Sequence, residues 1–261
     1  MSSSGGTTAP RISDVSIVIP AFNEAGRLPS SLERIMEWSH RNQGVVREII
    51  VVDDGSRDGT AEAAKRMARP ETPVVLEVQP ENRGKGAALR RGVLLARGAW
   101  ILLTDADLST PIEEIDRLSG SIERFDIVIG SRGLAESDIR IRQAWYRQQM
   151  GRTFNRLVRL LTGIPFRDTQ CGFKLLRRSV ARDIFERARI DRFAWDVEIL
   201  LLAASLGYSV VEVPVSWFNS PDSRVHIVGD STRMLVDVVK TRLRLPRWHS
   251  ASSRSDGTIA D

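Results

Sequence analysis

Glu48-Ile49-Ile50-Val51-Val52-Asp53-Asp54-Gly55-Ser56-Arg57-Asp58-Gly59-Thr60 is the stretch that decides the fold. Its β-branched run reads as a buried strand. The run stops at two adjacent acids, and glycines at 55 and 59 permit a tight backbone path. The turn then opens an Ala-rich helix over Ala61 to Ala68. The same hand-over recurs on both sides. Upstream, Val15 to Pro20 is a short strand stopped by proline, then come Asn23 and Glu24 in a loop and helical spacing from Leu28 to Trp38. Downstream, Val74 to Val78 is a strand, and Gly84-Lys85-Gly86 leads into a helix over Ala87 to Ala96. Trp100 to Leu103 is a strand that ends in Thr104-Asp105-Ala106-Asp107, Pro111 starts the next helix, and Ile127 to Ile129 is a strand ending at Gly130-Ser131-Arg132. Strands alternating with helices predict an α/β fold with a mainly parallel central sheet flanked by helices. Such folds bind ligands outside the carboxyl ends of their strands, which is where the acid pairs fall.

Beyond Arg132 the texture changes. Ile139 to Thr162 carries six arginines and no acid, with Trp145, Phe154, Leu157, Val158 and Leu161 as an apolar side. Asp191 to Leu206 reads as helix, Tyr208 to Val215 as a late strand, and Asp230 to Leu245 as a basic amphipathic helix ended by Pro246. One domain over 12–245 is expected, between flexible tails at 1–11 and 246–261. The 261 residues are 42% hydrophobic and carry a net charge of +5, which suits a soluble core and anionic partners without choosing among them. One cysteine rules out an intrachain disulfide, and His40, His226 and His249 lack metal-motif spacing. No run of 18 apolar residues is present, so no spanning helix and no missed anchor are expected. The GxGxxG and P-loop patterns are absent, which argues against an NAD-linked enzyme and a P-loop ATPase, and no G-x-S-x-G elbow suggests a hydrolase.

The acids read in two ways. Asp105 and Asp107, two apart at a strand end, are either a solvated turn or a site for a divalent cation, which relieves the repulsion between them and holds a diphosphate. One carboxylate of the Asp53-Asp54 pair either accepts hydrogen bonds from a base or ribose, or the pair belongs to a turn in which Asp58 or Thr60 caps the following helix. Lys85 is a phosphate contact or an ordinary exposed lysine.

Taken together, Val18 to Glu24, Val51 to Thr60 and Asp105-Ala106-Asp107 resemble the family 2 glycosyltransferases of GT-A fold, a single Rossmann-like domain. Asp105 to Pro111, Asp168-Thr169-Gln170-Cys171-Gly172-Phe173-Lys174 and Trp195-Asp196-Val197-Glu198 narrow the resemblance to the dolichyl-phosphate β-glucosyltransferase branch, near the polyprenyl-phosphate glycosyltransferases. It covers Val15 to Leu245. The resemblance implies that Pro20, Ala21, Glu24 and Asp53 contact the uridine and that Asp105 and Asp107 bind Mg²⁺ or Mn²⁺ on the diphosphate. Lys85, Arg132 and Arg224 fall to the donor phosphates, and Arg147 lies near the lipid phosphate. Asp168 is the acceptor-side acid, and Gln170, Asp196 and Glu198 stand on the acceptor and sugar side. Catalysis falls to Asp168, Arg147 and Asp107.

The implied reaction is inverting transfer of glucose from UDP-glucose to a polyprenyl phosphate, without a settled choice against GDP-mannose, a UDP-N-acetylhexosamine or a soluble acceptor. Several members of the resembled branch carry a transmembrane anchor, and none is expected here. The resemblance therefore implies peripheral docking on the cytoplasmic face of a membrane, or a partner that supplies the anchor. The Asp230 to Leu245 helix suits an interface, and equally suits packing on a core. Competing readings are a nucleotidyltransferase, whose glycine signature is missing after the first strand, and a haloacid-dehalogenase-like phosphatase, whose DxD loop should end the first strand of its sheet. A catalytically silent lipid-binding protein is a third. Nucleic acid is not expected as a partner, since no aromatic platform or zinc finger accompanies the arginines.

Overall fold

The computed structural model describes residues 12–68, 73–141, 145–218 and 227–248. Seven strands form the main sheet: β1 (Val15–Ala21), β2 (Val46–Asp53), β3 (Val74–Val78), β4 (Trp100–Leu103), β5 (Ile127–Ser131), β7 (Lys174–Arg177) and β8 (Val210–Pro214). Their spatial order is β3-β2-β1-β4-β7-β5-β8, and all pairings are parallel except those of β7. A small parallel pair, β6 (Ile139–Ile141) and β9 (Trp217–Phe218), lies apart. The helices are α1 (Leu28–Arg41), α2 (Thr60–Met67), α3 (Lys85–Leu95), α4 (Ile115–Ser119), α5 (Trp145–Thr162), α6 (Arg178–Arg187), α7 (Trp195–Ser205) and α8 (Ile227–Arg244).

Strand alternation divides the core into two layers. Ile17, Ile19, Ile49 and Val51 face α1 and α4 through Leu28, Leu32, Ile35, Trp38, Ile115 and Leu118. Val18, Ile50 and Val52 face the other way, toward Leu89, Ile184, Phe185, Leu200 and, from α8, Met234 and Val238. Every residue of α7 from Trp195 to Ala203 is buried.

The sequence reading differs at several places. β1 runs through Pro20 to Ala21, because its pairing with β4 ends at Val18 and the missing Pro20 N–H leaves no ladder bond open on that side. β7 is only four residues long and α6 carries a helical apolar stripe of Val180, Ala181, Ile184 and Phe185, yet neither was expected. The arginine-rich stretch splits into β6 and α5, and α7 begins at Trp195 rather than Asp191. The ordered domain also extends past 245. Trp248 packs edge-on against Phe166 at 5.0 Å and donates its N–H to the Thr162 carbonyl, so it is a packing residue rather than part of a tail. The tails expected over 1–11 and 249–261 lie outside the described residues.

β7 is what shapes the cleft. Because it runs antiparallel, its first residue, Lys174, pairs with Leu103 near the carboxyl end of β4 and with Ile129 in β5. The segment 168–173 therefore arrives at the same sheet edge as the ends of β1, β2 and β4.

α3 is seated on the sheet through Gly92. A Cβ there would fall 2.4 Å from Val18 Cγ1 and 3.1 Å from Val52 Cγ2. Alanine in a helix interior ordinarily gains about 1 kcal/mol over glycine, but overpacking costs about 1–3 kcal/mol. Gly92→Ala is expected to lower the urea midpoint with an unchanged slope. A midpoint at or above that of the parent would contradict the close seating of α3.

Candidate active site

The acid pair that closes β2 divides its work. Asp54 is buried and its carboxylate accepts four hydrogen bonds from the loop before α3: from Gln79 Nε2 (3.1 Å), Asn82 Nδ2 (3.0 Å), Arg83 N (2.9 Å) and Gly84 N (2.7 Å). Burial raises the pKa of its carboxyl, against the pull of those backbone donors. Asp54 thus fixes the loop that delivers Lys85. Gly55, at φ 69°, lets this happen: a Cβ would stand 2.5 Å from the Glu81 carbonyl carbon. Asp53 is different. Its Oδ2 accepts from Ser56 N at 3.2 Å, but its Oδ1 is buried without a hydrogen-bond partner. Such an atom is costly to leave unmatched, and it marks a place where a ligand donor fits.

Gly59 precedes α2 without a side-chain cap, and Asp58, one residue further back, meets the first N–H of the helix instead. Thr60 N donates to Asp58 Oδ1 at 3.2 Å, and Thr60 Oγ1 accepts from Glu24 N at 2.7 Å. The loop after β1 is thereby tied to the turn after β2. Pro20 and Ala21 end β1 beside it, with the Ala21 carbonyl accepting Asp54 N at 2.8 Å. Glu24 is held by Arg27 through Nε (2.7 Å) and Nη2 (2.6 Å), and Arg27 Nη1 lies 3.6 Å from Asp107 Oδ2. Phe22, 38% exposed, presents an aromatic face from the same loop.

Asp105 meets Lys85 Nζ at 2.5 Å, and Asp107 Oδ1 accepts Ser109 N at 3.0 Å. Burial would raise the Asp105 pKa, but Lys85, with Lys174 and Arg132 behind it, holds the carboxyl below its ordinary range. Burial works against the Lys85 charge as well, and Asp105 and then Asp196 raise its pKa in spite of it. Gly172 lies against Asp105: a Cβ there would fall 2.5 Å from Oδ2.

Lys174, fully buried, completes the wall. Its Nζ donates to Asp196 Oδ1 at 2.5 Å and to the Cys171 carbonyl. Burial pushes the Asp196 carboxyl up, although Lys174 pulls it down. Both lysines lie by the Trp195 ring, with Lys174 Nζ 4.9 Å and Lys85 Nζ 5.7 Å from its centroid.

Asp168 and Arg132 form a bidentate pair, Nε to Oδ2 at 2.7 Å and Nη2 to Oδ1 at 3.0 Å, reinforced by Arg132 N and Gln170 N. Burial alone would raise the Asp168 pKa, but Arg132 overrides it and holds it below the carboxylate range. Arg132 Nη1 keeps no hydrogen-bond partner among the described residues, and its guanidinium lies 5.4 Å from the Trp217 ring centroid. Gln170 Nε2 reaches Met234 Sδ at 3.8 Å.

Glu198 stands apart from this group. Its buried carboxylate accepts from Arg189 N and Ile190 N and pairs with Arg244. It thereby joins the loop before α7 to α8, whereas the resemblance implies a place on the acceptor and sugar side. Arg147 falls within α5 with its side chain outside the description, and Arg224 lies outside the described residues. Arg27, Lys174 and Trp195 were given no role from sequence. The one available signal was a lysine inside the apolar run Phe173-Lys174-Leu175-Leu176.

Asp105 and Asp107 suit a hard divalent cation. Two carboxylates at one strand end, one with an open edge in a glycine-lined cradle, match how Mg²⁺ is held beside substrate phosphates. Among the described residues no third His, Cys, Asp or Glu joins them, so the other ligands would be phosphate and water.

This sheet order and acid-lined edge define a GT-A glycosyltransferase fold. Among solved structures the chain resembles glucosyl-3-phosphoglycerate synthase from Mycobacterium tuberculosis in complex with Mn²⁺ and UDP-glucose (TM-score 0.66, 20% identity, 90% of this chain and 80% of that one). It also resembles a mannosyltransferase from Pyrobaculum calidifontis in complex with GDP-mannose and Mn²⁺ (TM-score 0.61, 20% identity, 92% and 67%). The sequence pattern described as glycosyl transferase family 2 matches residues 16–185, and the chain belongs to that family. It is 37% identical over 242 residues to the dolichyl-phosphate β-glucosyltransferase of Dictyostelium discoideum, spanning 88% of this chain and 74% of the relative. It is 32% identical over 245 residues to the human protein of that name, spanning 88% and 75%. The chain is an enzyme, a glycosyltransferase of this branch.

Removing Arg132 leaves Asp168 buried and unpaired, which costs about 3 kcal/mol at neutral pH. Asp168 has a folded pKa below its unfolded value of about 3.9. Its contribution is therefore complete above that value and fades as pH falls through the folded one. Arg132→Gln is expected to lower the melting temperature at pH 7 and to move acid unfolding to higher pH. Parent-like acid unfolding would contradict the pair.

Proposed function

We propose that this enzyme transfers glucose from UDP-glucose to a polyprenyl phosphate of the dolichyl kind, with inversion and with Mg²⁺ or Mn²⁺, releasing UDP. The observation that carries the reading is the conjunction at one sheet edge of the orphan Asp53 Oδ1 and the Asp105/Asp107 pair. The names of the relatives and the ligands of the structural neighbours support it.

In this reading Asp53 accepts a donor N–H or O–H from the uridine, Pro20 and Ala21 form the wall beside it, and Phe22 offers its face to the base. Glu24 acts by holding Arg27 rather than by touching the nucleotide. Asp105 and Asp107 hold the metal, which supplies charge stabilisation for the departing diphosphate. Lys85 adds a cation at the same place.

The acceptor is a phosphate, already anionic near neutral pH, so its oxygen forms the new bond to the anomeric carbon as the bond to UDP breaks, and no proton needs removing. The chain must instead orient two anions against each other. Arg132 is suited to this: Asp168 fixes its fork, and Nη1 is left to donate to phosphate. Asp168 is then an aligning group, since Arg132 keeps it ionised and occupied. Gln170 and Asp196 border the acceptor and sugar side, and Arg147 and Arg224 remain assigned by resemblance to the lipid phosphate and the diphosphate.

A polyprenyl acceptor brings the enzyme to a membrane surface, here proposed as the cytoplasmic face. No helix among the described residues is long and apolar enough to cross a membrane, and the one cysteine is buried and free.

The test is a turnover screen of labelled UDP-glucose, GDP-mannose and UDP-N-acetylglucosamine against polyprenyl phosphate in detergent, with Mg²⁺ or Mn²⁺. Label should enter the lipid phase from UDP-glucose and fall by at least about 100-fold in Asp107→Asn. Transfer from another donor instead would overturn the sugar. Transfer that persists in Asp107→Asn would overturn the metal site.

A further inference from the structure

Five of the eight exposed large apolar side chains among the described residues sit on two helices: Leu157 and Leu160 on α5, and Val236, Val239 and Leu243 on α8. Leu243 is 84% exposed and Leu160 is 70% exposed. On α8 they make a second apolar face. At about 100° per residue, Val239, Leu243 and Val236 fall in a stripe about 60° wide, opposite buried Met234 and Val238. Arg233, Lys240 and Arg244 form the next stripe round the helix. The chain beyond α8 brings Leu160 close, since Arg247 Nη2 donates to the Leu160 carbonyl at 2.6 Å.

Beside the basic stripe a cavity of about 380 Å³ opens between α8 and the loop before α7. Arg189, Arg192, Lys240 and Arg244 line it, with Asp191 and Asp237 as the acids of its wall. Asp191 is already engaged by Arg90 (2.8 Å) and Arg83 (3.4 Å), and Arg244 by Glu198. Arg189, Arg192 and Lys240 have no ion-pair partner among the described residues. Three unmatched cations thus converge on one cavity, and Asp237 alone offsets them. The cavity is separate from the acid-lined cleft, and nothing in the proposed transfer uses it.

We propose that this cavity seats the phosphate of an anionic phospholipid headgroup while the Val236, Val239 and Leu243 stripe enters the acyl boundary. The proposal rests on the membrane-borne acceptor inferred above and adds a second lipid contact outside the reaction cleft. The charge arrangement selects this occupant. Guanidinium groups pair with phosphodiester oxygens through charge-assisted hydrogen bonds, and an apolar stripe flanked by basic residues suits a bilayer interface. The seat also bears on the cleft. The loop that walls it reaches α3, where Ala87 N donates to the Asp191 carbonyl at 3.0 Å, and Gly84 and Gly86 lie against the carbonyls of Asp191 and Ile190. A bound headgroup would hold the loop that braces the start of Lys85's helix.

The experiment is flotation of the full chain with vesicles of phosphatidylcholine alone or doped with phosphatidylglycerol, at low and raised salt. The parent should favour the anionic vesicles, and raised salt should weaken the preference. Arg192→Gln combined with Lys240→Gln should bind anionic vesicles about tenfold to thirtyfold more weakly. Leu243→Ser should weaken binding to both vesicles, and the melting temperatures should stay parent-like. Equal flotation with both vesicles, or parent-like affinity in the double variant, would overturn the seat. So would a dimer in sedimentation that Leu243→Ser dissociates while no vesicle binds, which would give the stripe to a second copy. Transfer in detergent micelles, measured on the same preparations, separates the two readings. Retained transfer without anionic preference removes the seat alone. Absent transfer with a preference lost in the double variant removes the proposed reaction and keeps the seat.

Discussion

Two lysines face one indole at the centre of this protein. Lys85 and Lys174 stand 5.7 and 4.9 Å from the Trp195 ring centroid, and each holds a carboxylate of the cleft, Asp105 and Asp196. A carboxylate removed from water stays charged only when a cation or several donors meet it. The cleft meets that demand at each acid in turn: Lys85 for Asp105, Lys174 for Asp196, Arg132 for Asp168, Arg27 for Glu24, and loop donors for Asp54. Asp53 Oδ1 is the exception, and its unmet need is the clearest mark of a ligand site.

The topology serves the same end. A wholly parallel sheet would carry the segment after Asp168 away from the acid pair. The antiparallel insertion of β7 returns it to the carboxyl edge, sets Gly172 against Asp105, and aims Lys174 into the layer that holds α7. The start of α3 comes to that edge through Asp54, and the loop after β1 through Thr60 and Asp58. Three segments far apart in sequence are thus tied by side-chain bonds to backbone, and the fourth, before β7, is held to them by strand pairing and the lysine–carboxylate pairs.

How much of this is legible in the sequence follows from how local each cause is. β1, β2, β4 and β5 are visible as apolar runs, since burial on both faces writes itself into consecutive residues, and β3 is visible from its valines although Val75 and Val78 are exposed. The acids at 53, 54, 105 and 107 are visible because strand ends place them. β7 is hidden, as it is four residues long and begins and ends with a basic residue. Lys174 is hidden for the same reason: its partner, Asp196, is 22 residues away, and only the packed fold brings them together. Arg27 reads as a surface residue before a helix until its contacts with Glu24 and Asp107 are seen. Glu198 has the opposite history, since its place beside Asp196 suggests the sugar while its bonds run to Arg189, Ile190 and Arg244.

Asp53 Oδ1 stands without a partner, and Asp105, although held by Lys85, stands with Asp107 at the same edge to meet the donor. The most direct measurement is a crystal structure of the chain with UDP and Mn²⁺. The uridine is expected to lie against the ends of β1 and β2, with a donor atom of the base or ribose at hydrogen-bond distance from Asp53 Oδ1 and the ion between Asp105, Asp107 and the diphosphate. A nucleotide bound elsewhere, with Asp53 Oδ1 still unpartnered, would contradict the assignment of this edge as the donor site.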